Sequence, residues 1–376
     1  MQRIPPASRA SVGPLALGAL LALQAASAVA EPELERLEVP AGFVVELLTD
    51  ALPNARQLQR GADGTLFAGT RSDGRVWALR DGTVHAVAEG LTMPSGIALK
   101  DGDLYIGAVS TIYRLDDIEA RLSDPPEPEI VTAALPEDGH HGWKHLEFGP
   151  DGTLWVPVGA PCNICDPDDP YMALLRMDAT TGSYEVAARG IRNTVGFDFE
   201  PGTGDLWFTD NGRDWLGDDS PPCELNRLAT DATGVPHYGY PHVHGSDVID
   251  PEFGAGHDPA EFALPAWEFG AHTAPLGVAF YTGTAFPERY RGALFVAQHG
   301  SWNRSSKSGY QVLATWIEDG VVTRAEPFLT GFLDGERAWG RPVDVIVDAD
   351  GSLLVSDDQQ GAVYRVRWVG EDVAAR

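Results

Sequence analysis

After residue 60 the chain alternates short apolar runs with turns made of Asp and Gly, and the pattern recurs six times. It reads GADGTLFAG from Gly61, KDGDLYIG from Lys100, GPDGTLWVPVG from Gly149, PGTGDLWFTDNG from Pro201, YRGALFVAQHG from Tyr290 and DADGSLLVSDD from Asp348. Gly tolerates positive φ and Asp bonds its own backbone, so each copy is a tight turn followed by a short strand, expected to be an inner one. A second strand follows each copy: RVWALR, TIYRL, ALLRM, ELNRL, YQVLATW and AVYRVRW. Six such units spread over the chain predict an all-β fold, a six-bladed β-propeller with four-stranded antiparallel blades, whose circular arrangement protects strand edges. Two stacked sheets in a sandwich are the competing architecture. A parallel α/β fold is disfavoured, because helical periodicity appears only weakly, near residues 111–121.

The longest interval between repeats, from Gly204 to Gly292, carries Tyr238, Tyr240, Trp267 and Phe269 in a stretch rich in Gly, Pro, His and Asp. Residues 237–275 are therefore read as a surface excursion that returns to the scaffold, of the kind that builds a site on one face.

Composition narrows the partners. The 376 residues include 55 acidic against 27 basic side chains, for a formal charge of -28, which argues against nucleic acid or an anionic membrane surface. Arg3 and Arg9, an apolar stretch over residues 12–25 and the Ala28-Val29-Ala30 end form a secretory leader pattern. The expectation is a signal peptide over residues 1–30 and one propeller domain over 31–376, periplasmic or secreted, with no membrane span in the mature chain. A membrane anchor is the alternative reading of the leader, although the run is short for a bilayer.

Candidate chemistry collects in loops. His140, His141 and His145 precede a strand, and a neutral imidazole there suits a general base. Arg192 with Asn193 offers a fixed fork of donors. Residues 210–219 form an oxygen-rich loop suited to a hard cation, without EF-hand spacing. Cys162 and Cys165 make a lone C-x-x-C, open to reading as metal half-site, redox pair or disulfide; in an exported chain a structural disulfide is expected, leaving Cys223 odd. His299, Trp302, Asn303, Arg304, Lys307, Trp339 and Arg341 cluster in two later loops. Trp with Arg suits a flat anionic ring, and Arg192, Arg304 and Arg341 would bring three cations to one mouth of an acidic protein. No phosphate-binding glycine loop or serine nucleophile elbow is present, which disfavours nicotinamide and serine-hydrolase chemistry.

Taken in order over residues 55–368, these motifs resemble the soluble pyrroloquinoline quinone (PQQ)-dependent sugar dehydrogenases, particularly the aldose sugar and L-sorbosone dehydrogenase branch. The resemblance implies a six-bladed propeller holding PQQ and calcium. It implies oxidation of a sugar, sugar aldehyde or related alcohol, with an external electron acceptor. It makes His141 the general base and Arg192 its catalytic companion. Asn193, His272, Arg304 and Arg341 fall to cofactor binding, and the backbone carbonyls of Gly212 and Arg213 to the metal. Pro275 lies in the segment near the ring. The chain departs from the family pattern at His140, His145, Cys223 and Val343, the last standing where a second clasping arginine is expected. Two other readings remain open: a calcium-dependent lactonase or esterase on the same scaffold, and a propeller that binds without catalysing.

Overall fold

In the computed structural model, which describes residues 32–371, every repeat becomes one antiparallel sheet of four strands. The proposed leader, residues 1–30, lies outside the described residues. The repeat glycines Gly64, Gly102, Gly152, Gly204, Gly292 and Gly351 all take the left-handed conformation, with φ between 73° and 93°, so an L side chain at these turns would be strained.

The first blade comprises Ala55–Arg60, Leu66–Thr70, Val76–Arg80 and Thr83–Ala88. The second comprises Gly96–Lys100, Asp103–Gly107, Ile112–Leu115 and Glu129–Thr132. The third is Glu147–Phe148, Leu154–Val158, Ala173–Met177 and Tyr184–Arg189. The fourth is Phe197–Phe199, Leu206–Asp210, Pro222–Leu228 and Trp267–Ala271. The fifth is Pro275–Phe280, Leu294–Gln298, Gln311–Glu318 and Val321–Leu329.

The sixth blade closes the ring. Pro342–Val347, Leu353–Asp357 and Ala362–Trp368 come from the end of the chain, and Phe43–Thr49 from its beginning supplies the outer strand. Phe43 pairs with Trp368 across that seam and packs edge-on against Phe286, Tyr290, Phe328 and Trp368. Removing that ring would open a cavity at the closure, a change that costs about 3–5 kcal/mol.

One expectation is corrected. The apolar run after each Asp-Gly turn is the second strand of its blade, not the inner one. The first strands line the axis and pack on one another, as Pro342–Val347 does against both Ala55–Arg60 and Pro275–Phe280. The second strands Leu66–Thr70, Leu154–Val158, Leu206–Asp210, Leu294–Gln298 and Leu353–Asp357 are buried at every residue, because neighbouring blades cover both faces. The weak helical periodicity near residue 111 resolves into the strand Ile112–Leu115 and a single 3-10 turn, Ile118–Ala120.

Strand direction then sorts the loops. The repeat turns between first and second strands lie at one end of the ring. The segments entering the first strands, and those leaving the second strands, lie at the other. The excursion, expected over residues 237–275, proves to be residues 229–266: it joins the third and fourth strands of the fourth blade and carries a small hairpin, Val243–His244 with Val248–Ile249, while Trp267–Ala271 is the fourth strand itself and Pro275 opens the fifth blade. Its buried Asp250 accepts from Arg213 at 2.6 Å and His244 at 2.9 Å. Burial opposes the charge of that carboxylate, but these hydrogen bonds hold its pKa down at about 2.

Candidate functional site

At the loop end of the ring lies a cavity of about 490 Å³, opening along the axis. His141, Arg192, Asn193, Gly212, His272 and Arg341 all line it. Residues 139–142 enter the third blade, and His141 takes the left-handed conformation there (φ 50°), which His adopts more readily than most residues. The ring is nearly buried, 7% exposed. Its Nδ1 donates to the Ala160 carbonyl at 2.9 Å, leaving Nε2 without a partner among the described residues. Burial, and then the charge of Arg192, lower its pKa well below 6.5. The imidazole is therefore neutral at pH 7, with a fixed tautomer and a lone pair available at Nε2. The His140 ring lies tilted against it at 4.1 Å, and Trp143 meets it edge-on. A backbone carbonyl thus orients this histidine, where a carboxylate partner is the usual device.

Arg192 is held from three sides. Its Nε donates to the Asn163 carbonyl at 2.9 Å, its Nη2 to Asn163 Oδ1 at 2.8 Å, and its Nη1 to the Asn211 carbonyl at 3.0 Å. Asn163 sits between Cys162 and Cys165, which are joined as a disulfide, while Cys223 is free and buried. The backbone N–H groups of Arg192 and Asn193 both donate to the buried Asp210 carboxylate. The side-chain Oδ1 of Asn193 is buried at the cavity with no partner among the described residues.

The loop leaving the second strand of the fourth blade carries Gly212 and Arg213. Asn211 ties it down by donating to the carbonyls of Asn193 and Pro275, at 2.9 and 3.2 Å. Among the described residues no donor reaches the carbonyl oxygen of Gly212 or Arg213. The Arg213 guanidinium turns toward Asp250 and Glu252. Cys223, buried and free, lines the cavity beside Gly212 and Ala274. His272, also left-handed (φ 62°), donates from Nε2 to the Gly217 carbonyl at 2.7 Å.

Arg304 does not line the cavity: it pairs with Asp219 at 2.9 Å and with the Asp218 carbonyl on the rim. His145 turns down the axis, where Gln57 Nε2 donates to its ring at 3.3 Å, and burial drives its pKa to about 3. Val343 packs with Val195, Leu276 and Trp143 as an apolar floor.

Positive charge comes partly from residues the motifs did not single out. Arg56 and Arg71 join Arg192 and Arg341 around the cavity. Arg56 binds Asp358 at 2.7 Å, and Asp358 also accepts from Nε2 of His299 at 2.9 Å. Arg71 lies 4.1 Å over the Trp143 ring. Arg341 donates to the carbonyls of His299 and Gly300. The repeat itself held the signal for Arg56: like Arg341, it stands where a first strand begins.

The fold has counterparts among known proteins. Residues 258–369 match the family model described as TrAA12-like. An uncharacterized protein of Borreliella burgdorferi is 33% identical over 354 residues, which cover 90% of this chain and 93% of that protein. A segment of 118 residues is 32% identical to a PQQ-dependent pyranose dehydrogenase of Coprinopsis cinerea, covering 26% of this chain and 15% of that protein. Among solved structures, the calcium structure of a Trichoderma reesei enzyme of carbohydrate-active family AA12 aligns with a TM-score of 0.76 at 20% identity, over 88% of this chain and 97% of that one. The PQQ domain of Coprinopsis cinerea pyranose dehydrogenase, in its holo form, aligns with a TM-score of 0.73 at 19% identity over the same shares. The chain belongs to one family with the Borreliella protein, and its fold is that of the calcium- and PQQ-dehydrogenase-like six-bladed propellers.

Proposed function

We propose that the protein is a PQQ- and calcium-dependent dehydrogenase that oxidises a sugar, sugar aldehyde or related alcohol and passes the electrons to an external acceptor. The observation that carries the reading is a neutral, buried His141 whose free Nε2 shares a cavity with four arginines. PQQ is a flat quinone bearing carboxylates, and Arg56, Arg71, Arg192 and Arg341 match that charge. The unpartnered carbonyls of Gly212 and Arg213 and the orphaned Oδ1 of Asn193 match the oxygen donors that calcium takes. When bound, the quinone would accept hydride, with calcium polarising it.

The chain's own contribution is proton transfer and positioning. His141 Nε2 takes the hydroxyl proton as the substrate's C–H hydrogen departs as hydride, and the Ala160 carbonyl stabilises the resulting imidazolium through Nδ1–H. Arg192, immobilised by Asn163 and Asn211, presents fixed positive charge to oxygen that becomes negative. The apolar floor of Val195, Leu276 and Val343 limits water from below. The aldose sugar branch, and an exported location that follows from the leader pattern, belong to the same proposal. Among the described residues no helix is long and apolar enough to cross a membrane.

Titration of the purified chain with PQQ and calcium, followed by quinone absorbance, should show saturable binding of one quinone per chain. A dye-linked screen over sugars, polyols and sugar aldehydes should then find turnover. Absence of saturable binding overturns the reading.

A further inference from the structure

Two indoles stand in solvent beside this cavity. Trp215 is 67% exposed and Trp302 is 68% exposed. They are the aromatic side chains among the large exposed apolar residues of the described chain, and they touch, edge to face, with centroids 5.4 Å apart. Single exposed apolar residues are ordinary, but two indoles converging on a cavity mouth are not. Trp302 lines the cavity itself. Trp215 follows the Gly212–Asp214 loop and holds the left-handed conformation, φ 74°, which a bulky side chain adopts only under constraint.

The constraint is visible. Asn163 accepts from the Asp214 N–H at 2.8 Å and donates to its carbonyl at 3.2 Å. Asn303 Oδ1 accepts from the Trp215 N–H at 3.3 Å. His272 donates to the Gly217 carbonyl, and Asp218 accepts from the Ser305 N–H at 3.0 Å. Arg304 completes the connection through Asp219. The loops over residues 211–219 and 299–305 are thus joined into one rim, which displays both indoles outward. Strain and cross-links spent on displaying an apolar surface imply that the surface is used.

We infer that Trp215 and Trp302 form a platform for a second saccharide ring, so that the substrate is an oligosaccharide or glycoside whose first ring enters the cavity. The substrate part of this rests on the sugar-oxidising reading above. A pyranose ring has one face of C–H groups and an edge of hydroxyls. An indole face receives the former, and Asp218, Asp219, Arg304 and Asn303 around it offer donors and acceptors to the latter. A protein partner is disfavoured, because a stable interface needs roughly 800 Å² on each side with an extended apolar centre, and here two indoles stand within a ring of charges.

The test uses the full chain without cofactor, with glucose, cellotriose and maltotriose as probes, read by tryptophan fluorescence and calorimetry. At least one trisaccharide should bind about tenfold more tightly than glucose, a gain of the size expected from stacking on aromatic faces. W215A and W302A should each remove most of that advantage, while W302F keeps part of it. Trisaccharides that bind no tighter than glucose, or an advantage that survives in both alanine variants, overturn the inference. Since binding is read without quinone, failure here leaves PQQ binding standing, and failure of the PQQ titration leaves the platform standing.

Discussion

Gly159 separates the second strand of the third blade from Ala160, and it lies against His141, the proposed general base. A methyl group built there would stand 2.6 Å from His141 Cβ, 2.9 Å from the His141 carbonyl oxygen and 3.2 Å from the Arg192 carbonyl oxygen. Ordinary contact between carbon atoms is about 3.5–4.0 Å, so Gly159→Ala requires a retreat of about 1 Å. The strand cannot supply it: Val158 is buried, and the Ala160 N–H is bonded to the Arg192 carbonyl at 2.8 Å. His141 must move instead, and its bond to the Ala160 carbonyl is the one that opens. Overpacking of this kind destabilises by about 1–3 kcal/mol. A reacting group misplaced by about 1 Å costs about 10²-fold in turnover.

Two readouts check the reasoning. Dye-linked turnover of the reconstituted enzyme should fall about 10²-fold. The His141 imidazole proton resonance, assigned by difference from H141Q, should titrate at higher pH, because a displaced ring loses the burial that lowers its pKa. Turnover within about threefold of wild type together with an unchanged resonance would mean that the pocket absorbs the methyl group, and that the Gly159 contact does not place the base.

Four further outcomes follow from the same geometry. His141→Gln can keep the bond to Ala160 but has no basic lone pair, so turnover should drop about 10²-fold or more while PQQ affinity holds; equal turnover refutes the assignment. Because burial and Arg192 lower the His141 pKa, wild-type kcat should stay level from pH 7 down past 6.5 and decline only in more acidic solution. Asp344 lies on the axis, its carboxylate accepting from the Leu58 N–H at 2.8 Å, and burial raises its pKa to about 7. A raised carboxylate contributes stability below its unfolded value, near 4, and loses it as pH rises toward 7. Asp344→Asn should therefore gain on wild type by about 1.4 kcal/mol per pH unit between pH 5 and 7, then level off, as read by denaturant unfolding. A difference that does not vary with pH refutes it. Alkylation of the unfolded chain without reductant should add a single label, at Cys223, by intact mass; labels on Cys162 and Cys165 would exclude the bridge.

Local pattern alone determined the blades. Each Asp-Gly turn demands a left-handed residue, each apolar run is too short for a helix, and six copies leave a ring as the way to cover every strand. The same repeat, with the family resemblance, marked His141, Arg192, Gly212, His272 and Arg341 as members of one loop face. Depth within a blade was not legible, because a fully apolar strand can lie between two blades or on the axis, and the sequence pattern is the same. The partners of charged side chains were not legible either. Arg304 reads like Arg341 in sequence, yet it is held on the rim by Asp219, while Arg71, in an unmarked position, reaches the cavity beside Arg56. The tautomer and acidity of His141 depend on a carbonyl 19 residues away and on an arginine from the next blade. Electrostatics and hydrogen bonding act across distance in space, so these properties exist only once the ring has closed.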